Sequence, residues 1–305
     1  KIAYIISGGI LAFSLISLLS QGLNQGVDFV GGRSYIIRFD QIISPFEVQS
    51  SLVSSIGNSE VKTFGEENQL KITTKYKVDV EGLAVDNEIQ KILFDKLQSF
   101  LPDGLTYEAF INGAEDKKVG IMSSIKVGPT IADDIKKNSF LAVIGSLIVV
   151  FFYILLRFRK WQFSLGAVAA VFHDVLVVLG IFSITYKIMP FNMEINQAFI
   201  AAILTVIGYS LNDTVVVFDR IREFFRIHKS WDNETTVNSA LNSTLSRTLN
   251  TSLTTLIVLI AIFIFGGESI RGFMFALIIG VMVGTYSSVF IATPIMFDSY
   301  TKKVS

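Results

Sequence analysis

The chain has 305 residues, of which 51% are hydrophobic and 17% charged, and its mean hydropathy of +0.55 lies well above that of a soluble domain. Its 26 basic residues balance 26 acidic ones, so overall charge indicates neither a nucleic-acid partner nor an acidic substrate. The absence of cysteine excludes a disulfide framework, a thiolate metal site and a thiol catalyst.

Six apolar segments are long enough to span a bilayer: Ile2–Ser20, Ser139–Leu156, Trp161–Ile184, Ala198–Phe218, Thr248–Phe265 and Gly272–Phe297. At 1.5 Å per residue, runs of about 18–26 residues match a hydrocarbon core of ~30 Å. The first is too long for a signal-peptide core and is followed by no A-x-A site, so it is expected to be a retained anchor. Arg157, Arg159 and Lys160 lie between spans two and three, Arg220, Arg222, Arg226 and Lys229 between spans four and five, and Lys302 and Lys303 after span six. The opposite short loops carry Lys187 and Arg271. The positive-inside rule then puts both ends of this chain on the cytoplasmic side and the large loop outside. The expected organisation is a first transmembrane helix (1–20), an external domain (21–137), a five-helix remainder of the bundle (138–300) and a cytoplasmic tail (301–305).

Within the external segment, RSYIIRF (33–39) alternates like a strand with one buried face. Ser44 and Pro45 open a helix across FEVQSSLVSSIG, with Glu47 placed for a capping box. EVKTF (60–64) and QLKITTKYKV (69–78) read as a hairpin across Gly65–Asn68. Asn87–Phe100 is amphipathic, with Ile89, Ile92, Leu93, Leu97 and Phe100 on one face before Pro102 and Gly104 stop it, and TYEAFI (106–111) supplies a last strand. The order β-α-β-β-α-β is ferredoxin-like. The segment has no histidine and no nucleophile beside a base, so it is expected to grip, brace or move, not to act as an enzyme. GVDFVGG (26–32) reads as a tight turn; a phosphate-cradling loop is disfavoured because a strand, not a helix, follows it.

Asp213 interrupts the fourth span, AFIAAILTVIGYSLNDTVVVF. A carboxylate near mid-membrane costs at least ~2.5–3.5 kcal/mol on insertion scales and needs a partner, water or a proton. Thr205, Tyr209, Asn212 and Asp213 share one helical stripe, and on the fifth span Arg247, Asn250, Thr251 and Thr254 repeat it. Such stripes must face each other, another polar surface, or water. Arginine keeps its proton in a protein, so Arg247 would set the position and proton affinity of Asp213, which binds and releases the proton. The structural alternative is a static buried ion pair that locks helix packing.

His173 and Asp174 lie midway along the third span, as a proton relay or as a packing cluster. They point about 100° apart on a helix, which argues against a single unit. His228 reads as a solvated loop residue, and with no cysteine a metal site is not expected. Gly280 and Gly284 form a GxxxG pair for close helix approach inside this bundle or against a partner, and Asp219–Arg220 read as a helix cap or a gate.

Taken together, GVDFVGG (26–32), VGPTIADDIKKN (127–138), FHDV (172–175), GYSLNDTVVVFDRIRE (208–223), SRTLNTSLTTL (246–256) and GTYSSVFIATP (284–294) resemble the SecF family, the smaller partner of SecD in the bacterial preprotein-translocation accessory complex. The resemblance covers essentially the whole chain, and its beginning resembles the SecF half of a fused SecD–SecF chain. It implies a six-span bundle of the resistance-nodulation-division type with a ferredoxin-like external domain. It implies protons as the coupling ion, with no cofactor or metal, the motif acid at Asp213, the motif arginine at Arg247, and a further acid on SecD. The implied partners are SecD (separate or fused), SecYEG, the YajC and YidC proteins, a translocating preprotein and membrane lipids, with no nucleic acid. Motion is expected to reach the outer domain through the first span and the VGPTIADDIKKN connector. Two other classes are a proton-coupled small-molecule or lipid exporter, which usually carries larger outer domains, and a passive translocon scaffold, against which the Asp213/Arg247 pair counts.

Overall fold

A computed structural model of the chain describes residues 2–57, 59–80, 82–112 and 119–301. Lys302 and Lys303, read above as topology signals, lie outside the described residues, as does the expected tail beyond Thr301. In chain order the elements begin with helix α1 (Ile2–Ser20), a single turn α2 (Val27–Val30), strand β1 (Gly32–Arg38), α3 (Pro45–Ile56), β2 (Ser59–Phe64) and β3 (Glu66–Thr74). Then come α4 (Leu83–Leu97), α5 (Tyr107–Asn112), β4 (Gly120–Val127), α6 (Pro129–Phe158), α7 (Trp161–Thr185), α8 (Gln197–Ile227), α9 (Asn233–Phe265), α10 (Glu268–Ser287) and α11 (Thr293–Thr301). They form two compact units: Lys1–Asn24 with Ser139–Met189 and Ala198–Ser305, and Gln25–Asn138 with Pro190–Gln197. The short segment between α7 and α8, assigned from sequence to the bundle, thus groups with the small α+β unit.

In that small unit the sheet runs β2-β3-β1-β4, with each neighbouring pair antiparallel. This is the ferredoxin-like arrangement. Its core joins Tyr35, Ile37 and Phe39 to Val48, Leu52 and Ile56 of α3, Leu70 and Ile72 of β3, and Ile89, Leu93 and Leu97 of α4. GVDFVGG folds as one helical turn ending in two left-handed glycines. A Cβ on Gly32, at φ +129°, would lie 2.7 Å from the Thr74 carbonyl oxygen, so only glycine lets β1 start there.

Several sequence expectations change. Ser44 occupies the N-cap of α3, yet its side chain makes no capping bond, so the capping box is not formed; Pro45 sets the first turn instead. The hairpin turns at Gly65 (φ +85°), not across Gly65–Asn68, and β3 ends at Thr74. TYEAFI is not a strand. Thr106 Oγ1 accepts the Ala109 N–H at 3.2 Å, and α5 follows, with Phe110 and Tyr107 against the Phe94 ring. The fourth strand is GIMSSIKV, at the sheet edge, and its exposed centre hides the alternation that would betray a strand. The amphipathic helix starts earlier, at Leu83, and its last turn, Gln98–Phe100, tightens to a 3-10 helix.

The other unit holds helices long and apolar enough to span a membrane, six among the described residues, the last running through α10 and α11. Most of α7 is buried, whereas α1, α6 and the last part of α9 (256–265) present largely apolar exposed surfaces suited to lipid. Ser17 of α1 meets Ser183 of α7 at 2.8 Å, and Ser183 donates to the Gly22 carbonyl at 2.7 Å. The GxxxG pair serves this bundle: Cβ atoms on Gly280 and Gly284 would lie 2.0 Å from Val206 and 3.0 Å from Ser210 of α8. Between α10 and α11 the helix opens into a π turn over Ser288–Ala292. Pro294, just beyond, has no N–H to donate and its ring crowds the preceding turn, which accounts for the break.

Candidate functional site

The buried face of α8 recurs at helical spacing through Ile203, Val206, Ile207, Ser210, Asp213, Thr214, Val217 and Ile221. Asp213 is 3% exposed. Its Oδ2 accepts from Ser252 Oγ of α9 at 3.4 Å, and Ser252 shares a 2.6 Å hydroxyl contact with Thr285 of α10. Thr285 in turn donates to the Val281 carbonyl at 2.8 Å. Hydroxyls from two neighbouring helices thus converge on this acid.

Arg247 is not its ion-pair partner among the described residues. The face of α9 turned inward carries Thr244, Thr248 and Ser252, one every fourth residue. Arg247, Asn250, Thr251 and Thr254 fall on the other side and are exposed, as are Thr205 and Asn212 of α8. The two stripes therefore do not close on each other, although Tyr209 reaches α9 by donating to Thr255 Oγ1 at 3.4 Å. Arg247 lies five residues before Ser252, a rise of about 7.5 Å along the helix. There it lines a cleft of about 480 Å³ with Val216, Asp219, Arg220, Glu223, Ser243 and Thr244.

Asp219 and Arg220 do not cap α8, which continues to Ile227. Asp219 accepts from Arg157 at 2.9 Å and from Arg222 at 3.0 Å, while Arg220 donates to Ser243 at 2.9 Å and to Glu223 at 2.7 Å. Nearby, Asp232 caps α9 by accepting the Thr235 N–H at 2.9 Å, a bond that holds its carboxyl below the usual range.

The second buried acid, Asp174, has no exposed surface. Ser210 of α8 donates to it at 2.6 Å, Ser287 of α10 at 2.7 Å, and His173 Nδ1 lies 3.0 Å from its other oxygen. The adjacent pair, separated by sequence reasoning because of the 100° step, thus forms one unit. His173 Nε2 is buried with no hydrogen-bond partner. Among the described residues there is no group of three or more His, Cys, Asp or Glu side chains able to hold a metal ion. Ser210, Ser252, Thr285 and Ser287 were not singled out from the sequence; the one available signal was that Ser210 and Ser252 follow the buried spacing of their own helices.

A six-span bundle with two buried carboxylates, together with a ferredoxin-like unit inserted after the first span, defines a multi-pass membrane protein of the resistance-nodulation-division type. Residues 107–302 match the family described as protein export membrane protein SecD/SecF, C-terminal, and residues 16–41 match the SecD/SecF GG motif. Protein translocase subunit SecF of Rhodothermus marinus is 44% identical over 98% of this chain and 90% of its own length. The SecF of Magnetococcus marinus is 39% identical over 94% of this chain and 86% of its own. The crystal structure of SecDF, a translocon-associated membrane protein from Thermus thermophilus, superposes with a TM-score of 0.79 at 27% identity. It matches 98% of this chain, which spans 38% of that longer one. The chain belongs to the SecF family of protein translocase subunits.

Proposed function

We propose that this chain is the SecF part of a SecD–SecF complex that uses the proton-motive force to assist preprotein export and release on the outer side of the SecYEG translocon. The observation that carries the reading is Asp213, a carboxylate buried in an apolar span and met by hydroxyls from two other helices, with Arg247 in a cleft further along α9. Protons are the coupling ion, and no cofactor or enzymatic step is involved. One charge crossing 100 mV releases ~2.3 kcal/mol, enough to shift a two-state equilibrium roughly fifty-fold.

The exposed polar stripe supports a SecD partner, separate or fused. Thr205, Asn212, Arg247, Asn250, Thr251 and Thr254 would be poorly satisfied against lipid tails, so this face suits a partner's helices or water. The complex would sit in the bacterial inner membrane beside SecYEG, YajC and YidC, with the ends of this chain cytoplasmic and the small unit periplasmic. Translocation of a preprotein into vesicles carrying SecD, SecYEG and this chain tests the reading, with and without an imposed proton gradient. The gradient is expected to stimulate translocation in the wild type and not in Asp213→Asn. Equal stimulation in both, or none in either, overturns it in favour of a passive scaffold.

A further inference from the structure

The segment Pro190–Gln197 joins two membrane helices in sequence, yet it groups with the small unit and is held there by independent bonds. Glu194, its side chain 5% exposed, forms an ion pair with Lys71 of β3. The Gly26 N–H donates to the Ile195 carbonyl at 2.9 Å, beside a parallel bridge between Gln25 and Ile195. Asp28 Oδ2 accepts the Gln197 N–H at 3.0 Å, the first residue of α8. The position of Gly26 is fitted to this arrangement, since a Cβ there would lie 3.2 Å from Glu194 Oε2. Met193 and Ile195 are buried alongside.

We infer that this clamp, Lys71–Glu194 together with Asp28–Gln197, is the linkage through which α8 moves the small unit. The inference rests on the proton-coupled reading above. Asp213 lies sixteen residues after Gln197, a rise of about 24 Å on one α-helix. A hydrogen-bonded helix carries axial displacement with little loss, so a shift at Asp213 arrives at Gln197. The clamp then decides whether it reaches the sheet. Of the three other covalent connections into the small unit, those from α1 and along α6 carry no acid midway in the apolar run, and α7, which leads into it at Pro190, carries Asp174, the acid held by two short serine bonds. The α8 route therefore joins the proton site to β3 most directly. An ion pair with so little solvent around it is suited to such a linkage. It resists shear, and loss of either charge leaves the other buried without its counter-ion.

Vesicles holding SecD, SecYEG and this chain allow two readouts, gradient-stimulated translocation and dissipation of the pH gradient through the Asp213 site, defined as the flux that Asp213→Asn abolishes. Lys71→Gln and Glu194→Gln are expected to lower stimulation by about tenfold while keeping the Asp213-dependent flux. The charge exchange K71E/E194K is expected to restore stimulation, which separates a broken linkage from a misfolded domain. Full stimulation in both single variants, or an exchange variant as inactive as the singles, overturns the clamp. If Asp213→Asn leaves both readouts of the wild type unchanged, the proton-coupled reading fails and the clamp falls with it. Clamp variants that lose stimulation and keep the flux locate the failure downstream of the proton site.

Discussion

Ser210 and Asp213 stand three residues apart on α8, and each belongs to a different carboxylate network: Ser210 donates to Asp174 at 2.6 Å, while Asp213 accepts from Ser252 at 3.4 Å. Ser287 and Thr285 repeat the division on α10. The networks differ in tightness. Asp174 draws short bonds from two serines and a contact from His173, whereas the bond that Asp213 accepts from Ser252 is long at 3.4 Å. A carboxylate held by several short bonds is fixed in place; one held loosely can change partners or protonation at small cost. Under the proposed function, Asp174 would brace the bundle and Asp213 would exchange the proton.

Ser287→Ala is therefore expected to act on stability. Removing a donor to a buried charged group costs about 1.5–3 kcal/mol, which thermal unfolding of the purified complex in detergent would register. Gradient stimulation per folded molecule should persist. Loss of stimulation with an unchanged melting temperature would instead place the His173–Asp174 pair in the proton path.

Ser252→Ala should behave in the opposite way. Its bond to Asp213 is long and its loss is worth about 1 kcal/mol, so unfolding changes little. Gradient-stimulated translocation should fall roughly fivefold, because Ser252 holds Asp213 in register with Thr285. A rate equal to wild type in the vesicle assay would show that the hydroxyl does not position the acid.

The two units were legible in the sequence to different depths. An apolar run long enough to span a bilayer signals itself by length alone, and an acid within it stands out because it is costly there. The inward face of α9 did not stand out. Counting polar residues picked Arg247, Asn250, Thr251 and Thr254, while the buried set is Thr244, Thr248 and Ser252. Polarity shows that a face avoids lipid, but not whether it turns into its own bundle or toward a partner. Serine and threonine are ambiguous for a second reason. Many bond their own helix, as Thr205 does to the Ala201 carbonyl at 2.8 Å and Thr251 to the Arg247 carbonyl at 2.9 Å. The attachment of Pro190–Gln197 to the small unit was equally hidden, because it depends on Lys71, 123 residues before Glu194.

Two glycines in the bundle should tolerate alanine differently. A Cβ on Gly166 would lie 2.4 Å from the Ala292 carbonyl oxygen, backbone within the π turn, whereas on Gly284 it meets the Ser210 side chain at 3.0 Å. Backbone yields less readily than a side chain. Gly166→Ala is expected to destabilise by about 1–3 kcal/mol or more, and Gly284→Ala by less. Melting temperatures in the reverse order would mean that the π turn is the softer of the two contacts.

The small unit contains its own test of how a buried charge is held. Arg33 of β1, with a side chain 2% exposed, forms an ion pair with Asp86 of α4. Its remaining donors reach the Tyr76 and Lys77 carbonyls at 3.3 Å each and the Val80 carbonyl at 3.2 Å. One guanidinium thus ties the segment after β3 to the sheet and to α4, which explains why β3 stops at Thr74 and the chain turns there, with Lys77 at φ +47°. Asp86→Asn removes the counter-charge and leaves the carbonyls in place. Breaking a fully buried pair costs about 3–5 kcal/mol; Asp86 is 20% exposed, so water offsets part of that loss. A destabilisation of at most about 3 kcal/mol, the lower end of that range, follows. Limited trypsin digestion of the full chain in detergent measures it, with faster cleavage at Lys75 and Lys77 expected in the variant. Unchanged cleavage at these sites would mean that the carbonyls alone hold Arg33, and that the ion pair contributes little to the fold.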